Sequence, residues 1–139
     1  MLWHLFCGFS TKLTLMMYQM LDLPPNMIGF KAEWKVTKKD FDEVVIPCVE
    51  KHVEKMGQIN YMLVLKTSVK NFTFFAWIKD ALMGLHHLTK WNRAAIVSDS
   101  KAIKWFTWFF SILIPGEFRA FPHKEIKKAI NWVSKGVLV

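Results

Sequence analysis

From Met16 onward the apolar positions fall into blocks that repeat at two spacings, separated by Pro, Gly and Asn. Met16 to Leu21 reads as a short strand. Leu23-Pro24-Pro25-Asn26 follows as a turn, because consecutive prolines fix φ and remove backbone donors. In Met27 to Val36, Ile28, Phe30, Ala32 and Trp34 alternate with Gly29, Lys31, Glu33 and Lys35, the pattern of a half-buried strand returning from that turn. Thr37 then opens a helix with Asp40 in its first turn, a variant of the capping box. Phe41, Val44, Val45, Cys48, Val49, His52, Val53 and Met56 recur at three- and four-residue steps along it. Pro47 inside that run predicts a kink or brief break, and Gly57 a terminator. Gln58 to Lys66 is almost continuously apolar, as a strand covered on both faces should be.

Thr67 to Phe72 reads as a loop and Thr73 to Leu88 as a second helix, with Phe74, Ile78, Ala81, Leu82, Leu85 and Leu88 along one face. Arg93 to Ser98 is another buried strand. Ser100 to Ile114 is a third helix, stopped by Pro115-Gly116. Glu117 to Phe121 is the last strand, and Pro122 leads into a final helix with Ile126, Ala129, Ile130 and Val133 inward and Lys124, Lys127, Lys128 and Lys135 outward. Strands alternating with helices after an initial hairpin predict an α/β fold: a single domain with a five-stranded mixed sheet and four helices. The domain spans residues 16–139, and residues 1–15, irregular in pattern, read as an N-terminal extension.

The third helix changes the picture most. Trp105, Phe106, Trp108, Phe109 and Phe110 fall within six residues, after Lys101 and Lys104. On a helical wheel Lys104, Thr107 and Ser111 form a narrow polar strip with Lys101 at its edge, and the remaining arc is apolar over roughly two thirds of the circumference, where a core-facing helix needs about 100°. Two readings of that surplus stand. The helix is squeezed between sheet and neighbouring helix, or it covers an apolar pocket on one flank and meets a membrane or partner on the other.

Composition narrows the class. Apolar residues make up 53% of the 139-residue chain and aromatics 15%, which argues against disorder. The net charge is +8, and residues 90–139 carry nine basic against three acidic side chains. That imbalance favours anionic partners, or simply a solvated basic face. The longest apolar run, Trp105 to Ile114, is about half the ~20 residues a membrane-spanning helix needs, and the apolar start lacks the basic region of a secretory signal. Cys7 and Cys48 form no metal or redox motif; Cys48 reads as a buried thiol, which suits a reducing cytoplasm.

Catalytic patterns are missing. Adjacent His86 and His87 project about 100° apart and cannot grip one ion. They suit a helix C-terminus, and His52 reads as a satisfied core or boundary histidine. At Ser98-Asp99-Ser100 a strand passes into a helix, where open sheets bind ligands, but Asp99 or Ser100 as a simple helix cap is the plainer reading. No Gly-rich phosphate loop, nucleophile triad or carboxylate pair occurs. We therefore expect no enzyme, no cofactor and no metal. Nucleic acid is not expected either, because Ile103, Phe110, Ile112 and Leu113 offer nothing to phosphates.

Three segments, LDLPPNMIGFKAEWKVTKKDFDEVVIP, KDALMGLHHLTKWNRAAIVSD and IPGEFRAFP, resemble the SpoIIAA-like family of small bacterial proteins, which is similar to STAS domains and to the CRAL-TRIO lipid-transfer fold. The resemblance runs from about Met16 to Ser134. It implies a STAS-like fold, a regulatory or apolar-ligand-binding role, and no established catalytic residues. The anti-sigma-antagonist branch of STAS proteins carries a phosphorylatable Ser in a D-S-[ST]-G turn. Here the corresponding Asn71 to Trp77 lacks the Asp and Gly, and Thr73 reads as a helix N-cap. The expectation is thus a non-enzymatic, cytoplasmic domain that binds an apolar or amphiphilic small molecule or lipid. Trp105, Phe106, Trp108, Phe109 and Phe110 would line the pocket, with Phe74, Trp77 and Ile78 opposite. Lys101 and Lys104 would contact an anionic membrane, peripherally on its inner face. The alternative is a regulatory interaction module, or a homodimer, using the same aromatic surface.

Overall fold

A computed structural model describes residues 17–32, 43, 45–66, 88–99, 101, 108, 111–112 and 116–138. Five strands form one sheet in sequential order: β1 (Met17–Gln19), β2 (Ile28–Ala32), β3 (Ile59–Leu65), β4 (Trp91–Val97) and β5 (Glu117–Phe121). β1 pairs antiparallel with β2, and the other neighbours are parallel. This is the expected mixed sheet. Its hairpin turn closes with Met27 N–H donating to the Pro24 carbonyl at 3.2 Å, as the double proline predicts.

Among the described residues two α-helices are defined by their ends, α1 (Ile46–Met56) and α2 (Ile126–Lys135), not the four expected. The helix expected over Thr73 to Leu88 lies outside the described residues except at its end, where Leu88–Lys90 is a 3₁₀ turn. Of the aromatic segment only Lys101, Trp108, Ser111 and Ile112 are described, all helical.

Local geometry refines the expectations. Pro47 stands in the first turn of α1, just after π-helical Glu43 and Val45, so the helical pattern changes beside the proline as expected. β1 ends at Gln19, two residues before the expected end. β4 begins at Trp91, two residues earlier than the apolar run suggested, because Trp91 pairs across an irregularity in β3 between Ile59 and Asn60. Gly57, by contrast, takes the left-handed conformation of a helix terminator, φ 75°, as predicted.

All seven β3 residues are buried, which fits a strand flanked by parallel neighbours and covered on both faces. Alternation divides them. Met62 and Val64, with Ala95, Val97 and Phe121 of the next strands, pack against Ala129, Trp132 and Val133 of α2. Trp132 is the largest side chain on that inner face, and helical spacing around Ala129 and Val133 alone does not single it out. Its ring lies 5.9 Å from Phe121 and 5.3 Å from the Arg119 guanidinium.

The end of α2 is closed group by group. A helix leaves its last carbonyls without intrahelical partners. Here the Trp132 carbonyl accepts from Gly136 N–H, the Val133 carbonyl from Arg93 Nε at 3.0 Å, and the Ser134 carbonyl from Asn26 Nδ2 at 2.8 Å. Asn60 Nδ2 in turn donates to the Asn26 carbonyl, and Asn92 Nδ2 donates to Asn60 Oδ1, each at 2.8 Å. These bonds tie the hairpin turn, β3, β4 and α2 together, and they satisfy Asn60, which is wholly buried.

Candidate functional site

The described part of the aromatic segment faces solvent. Trp108 is 59% exposed and Ile112 is 63% exposed, one helical turn apart. Between them Ser111 Oγ donates to the Trp108 carbonyl at 2.7 Å, so the hydroxyl is folded back on the helix. Lys101 is exposed as well. Trp108 and Ile112 belong to the arc the sequence marks as apolar, so part of that surplus is left uncovered. Trp105, Phe106, Phe109, Phe110, Phe74, Trp77, Ile78 and Lys104 lie outside the described residues.

The opposite sheet face carries a row of rings across four strands. Phe30 and Tyr61 lie 5.8 Å apart, Tyr61 and Trp91 5.8 Å, and Trp91 and Phe118 5.5 Å. Two buried polar atoms in this row, Tyr61 Oη and Trp91 Nε1, have no hydrogen-bond partner among the described residues, and neither has His52 Nε2 on α1. Each such group forfeits about 1–3 kcal/mol. His52 is thus buried, as expected, but not satisfied among the described residues. Burial, and then the positive charge of Lys55, push its pKa below the ordinary value and favour the neutral ring. Burial, with Cys48 nearby, pushes the Tyr61 phenol far up, so it stays protonated.

A pocket of about 280 Å³ opens between the hairpin turn and α1. Met20, Leu23 and Ile28 form part of its apolar wall; Lys51, His52 and Lys55 come from α1. Gln19 and Cys48 close one side, the thiol directed at Gln19 Oε1 at 3.9 Å, and Cys48 is the buried thiol that was expected. Trp108, the one described residue of those assigned to a ligand pocket from the sequence, is not among the described residues that line this one. The signal that could have found it is the one-turn spacing of Cys48, His52 and Lys55 on a helix next to the double-proline turn.

At the other end of the sheet Ser100, one of the two candidate helix caps, lies outside the described residues, and the other, Asp99, is engaged by His123. Its Oδ1 accepts from the His123 backbone N–H at 3.0 Å and its Oδ2 meets His123 Nδ1 at 2.9 Å. His123 Nε2 lies 2.8 Å from the Leu65 carbonyl. These hydrogen bonds, chiefly through the side chain, hold the Asp99 carboxyl below its usual range. The arrangement joins the ends of β3, β4 and β5 and accounts structurally for Asp99.

Among the described residues no three His, Cys, Asp or Glu side chains are grouped to hold a metal, and no helix is long and apolar enough to cross a membrane. The five-stranded sheet with its antiparallel first strand can now be set beside known proteins. The SpoIIAA-like family model matches residues 27–134, more than half of the chain. The chain belongs to the SpoIIAA-like family. The crystal structure of an uncharacterized protein with a SpoIIAA-like fold from Shewanella loihica is similar, with a TM-score of 0.59 at 23% identity, over 91% of this chain and 99% of that one. At that identity the likeness is one of fold. No curated protein shows significant similarity to the chain.

Proposed function

We propose that this SpoIIAA-like domain is a non-enzymatic binding module that docks reversibly on anionic membrane surfaces. The observation that carries this reading is the exposed pair Trp108 and Ile112 on one helical turn. Trp is well suited to the headgroup region, where its ring is half apolar and its N–H stays wet. Lys101 lies seven residues before Trp108, which on a helix is nearly the same line, and its ammonium would sit against anionic headgroups. The net charge of +8 acts in the same direction. Two partly inserted side chains and a few lysines give weak, reversible association rather than a permanent anchor.

The test is co-sedimentation of the full chain with vesicles of pure phosphatidylcholine and with vesicles containing phosphatidylserine. Binding that needs the anionic lipid and weakens with salt supports docking. Equal absence from both pellets ends it. A dimer in light scattering that Trp108→Glu dissociates, with no vesicle binding, would instead assign the same surface to a second copy of the chain.

A further inference from the structure

The pocket between the hairpin turn and α1 is a second feature, on elements that do not include Trp108. We propose that it binds a small amphiphile with an anionic head and a short, unbranched hydrocarbon tail.

Size sets the first limit. About 280 Å³ falls just below the range of drug-sized sites, and at roughly 30 Å³ for each water-sized group it holds about ten non-hydrogen atoms. A two-chain lipid would leave most of its hydrocarbon outside.

Chemistry sets the second. No Asp or Glu is among the described lining residues, whereas Lys51 and Lys55 are both there and both exposed. A cation therefore finds no counter-charge, and an anion finds two. The wall beyond them is aliphatic and thioether: Met20, Leu23, Met27 and Ile28. It can cover methylene groups and offers them no hydrogen bond.

The third observation is His52. It lines the pocket, is 8% exposed, and its Nε2 is buried with no partner among the described residues. A turn of the ring that brings Nε2 to the cavity would, in the tautomer with the proton there, let it donate to a carboxylate and recover a group now left unpaired. A purely hydrocarbon guest would leave His52 and both lysines unused. A bare inorganic anion would leave the apolar wall wet. Only a molecule with both parts uses all three features.

Octanoate is the probe, with its ten non-hydrogen atoms. It would be titrated into the full-length chain in the absence of lipid, followed by calorimetry and by the Met20 and Met27 methyl resonances. We expect saturable one-site binding that shifts both methyl signals. Octanol and inorganic phosphate should each bind at least tenfold more weakly than octanoate. Lys51→Gln with Lys55→Gln should weaken octanoate at least fivefold with an unchanged melting temperature, since both side chains are exposed. His52→Leu should weaken it as well, and His52→Gln, which restores a donor, should recover part of the loss. Absence of saturation, octanol binding as tightly as octanoate, phosphate binding as tightly as octanoate, or a lysine variant that binds like wild type would each overturn the proposal. The vesicle experiment is untouched by any of these results.

Discussion

Replacing Trp108 should separate surface affinity from folding, and the exposure values set the size of the effect. A Trp side chain offers about 250 Å². With 59% of Trp108 exposed, roughly 150 Å² is open to water, which at ~25 cal/mol/Å² amounts to roughly 3.5 kcal/mol on full insertion. Ile112, 63% exposed, adds about 1.5 kcal/mol on the same scale, and Lys101 adds about 1 kcal/mol near an anionic surface. The sum, about 6 kcal/mol, is a ceiling, and corresponds to a partition constant of order ten thousand. Trp108→Ala should therefore lower vesicle binding by about a hundredfold and Ile112→Ala by about tenfold. Because neither side chain is buried, both variants should unfold in urea within about 0.5 kcal/mol of wild type. Sedimentation over a series of lipid concentrations reads the first quantity and urea melts the second. If Trp108→Ala binds vesicles within threefold of wild type, or loses more than about 2 kcal/mol of stability, the reasoning from exposure is wrong.

Three further outcomes are expected. Trp132→Ala should cost about 3–5 kcal/mol in urea unfolding, since the ring is 3% exposed at the centre of the α2 interface, whereas Arg119→Ala, which removes only the exposed cation above it, should cost about 1 kcal/mol or less. Gly116→Ala should destabilise by about 2 kcal/mol or more: φ is +119°, and an added Cβ would lie 2.7 Å from the Trp91 carbonyl oxygen, a backbone atom that cannot turn aside. Acid should release the Asp99 contact. Its folded pKa lies below its unfolded value, so its contribution is present above the ordinary carboxylate range and is lost as pH falls through the lowered folded value; urea midpoints between pH 5 and pH 2 should fall more steeply for wild type than for Asp99→Asn.

Much of the architecture was legible in the chain because backbone geometry is local. Alternation over Ile28 to Ala32, the unbroken apolar run of β3 and the glycine after Met56 each report a single element's surroundings, and each element formed where its period required. The double proline was equally direct, since it acts on φ and on one donor. Pro47 acts as locally, and the helical pattern changes from π to α beside it. The candidate sites were less legible. The greasy arc of the aromatic segment is a property of composition, and it marked Trp108 as surplus without saying which side water would reach. His52 looked like any inward histidine, because a sequence records no hydrogen-bond partners.

By itself, then, the sequence determined the order and kind of the strands, the turn between the first two, the inner face of the last helix and an excess of apolar surface in one segment, since all of these follow from periodicity and from side-chain chemistry along one strand or helix. Only the tertiary structure decided that Trp108 and Ile112 face solvent, that Asp99 is engaged by His123, and that Lys51, His52 and Lys55 surround a cavity walled by the hairpin. Those are relations between residues far apart in the chain, and they exist only once the sheet has brought its edges and helices into register.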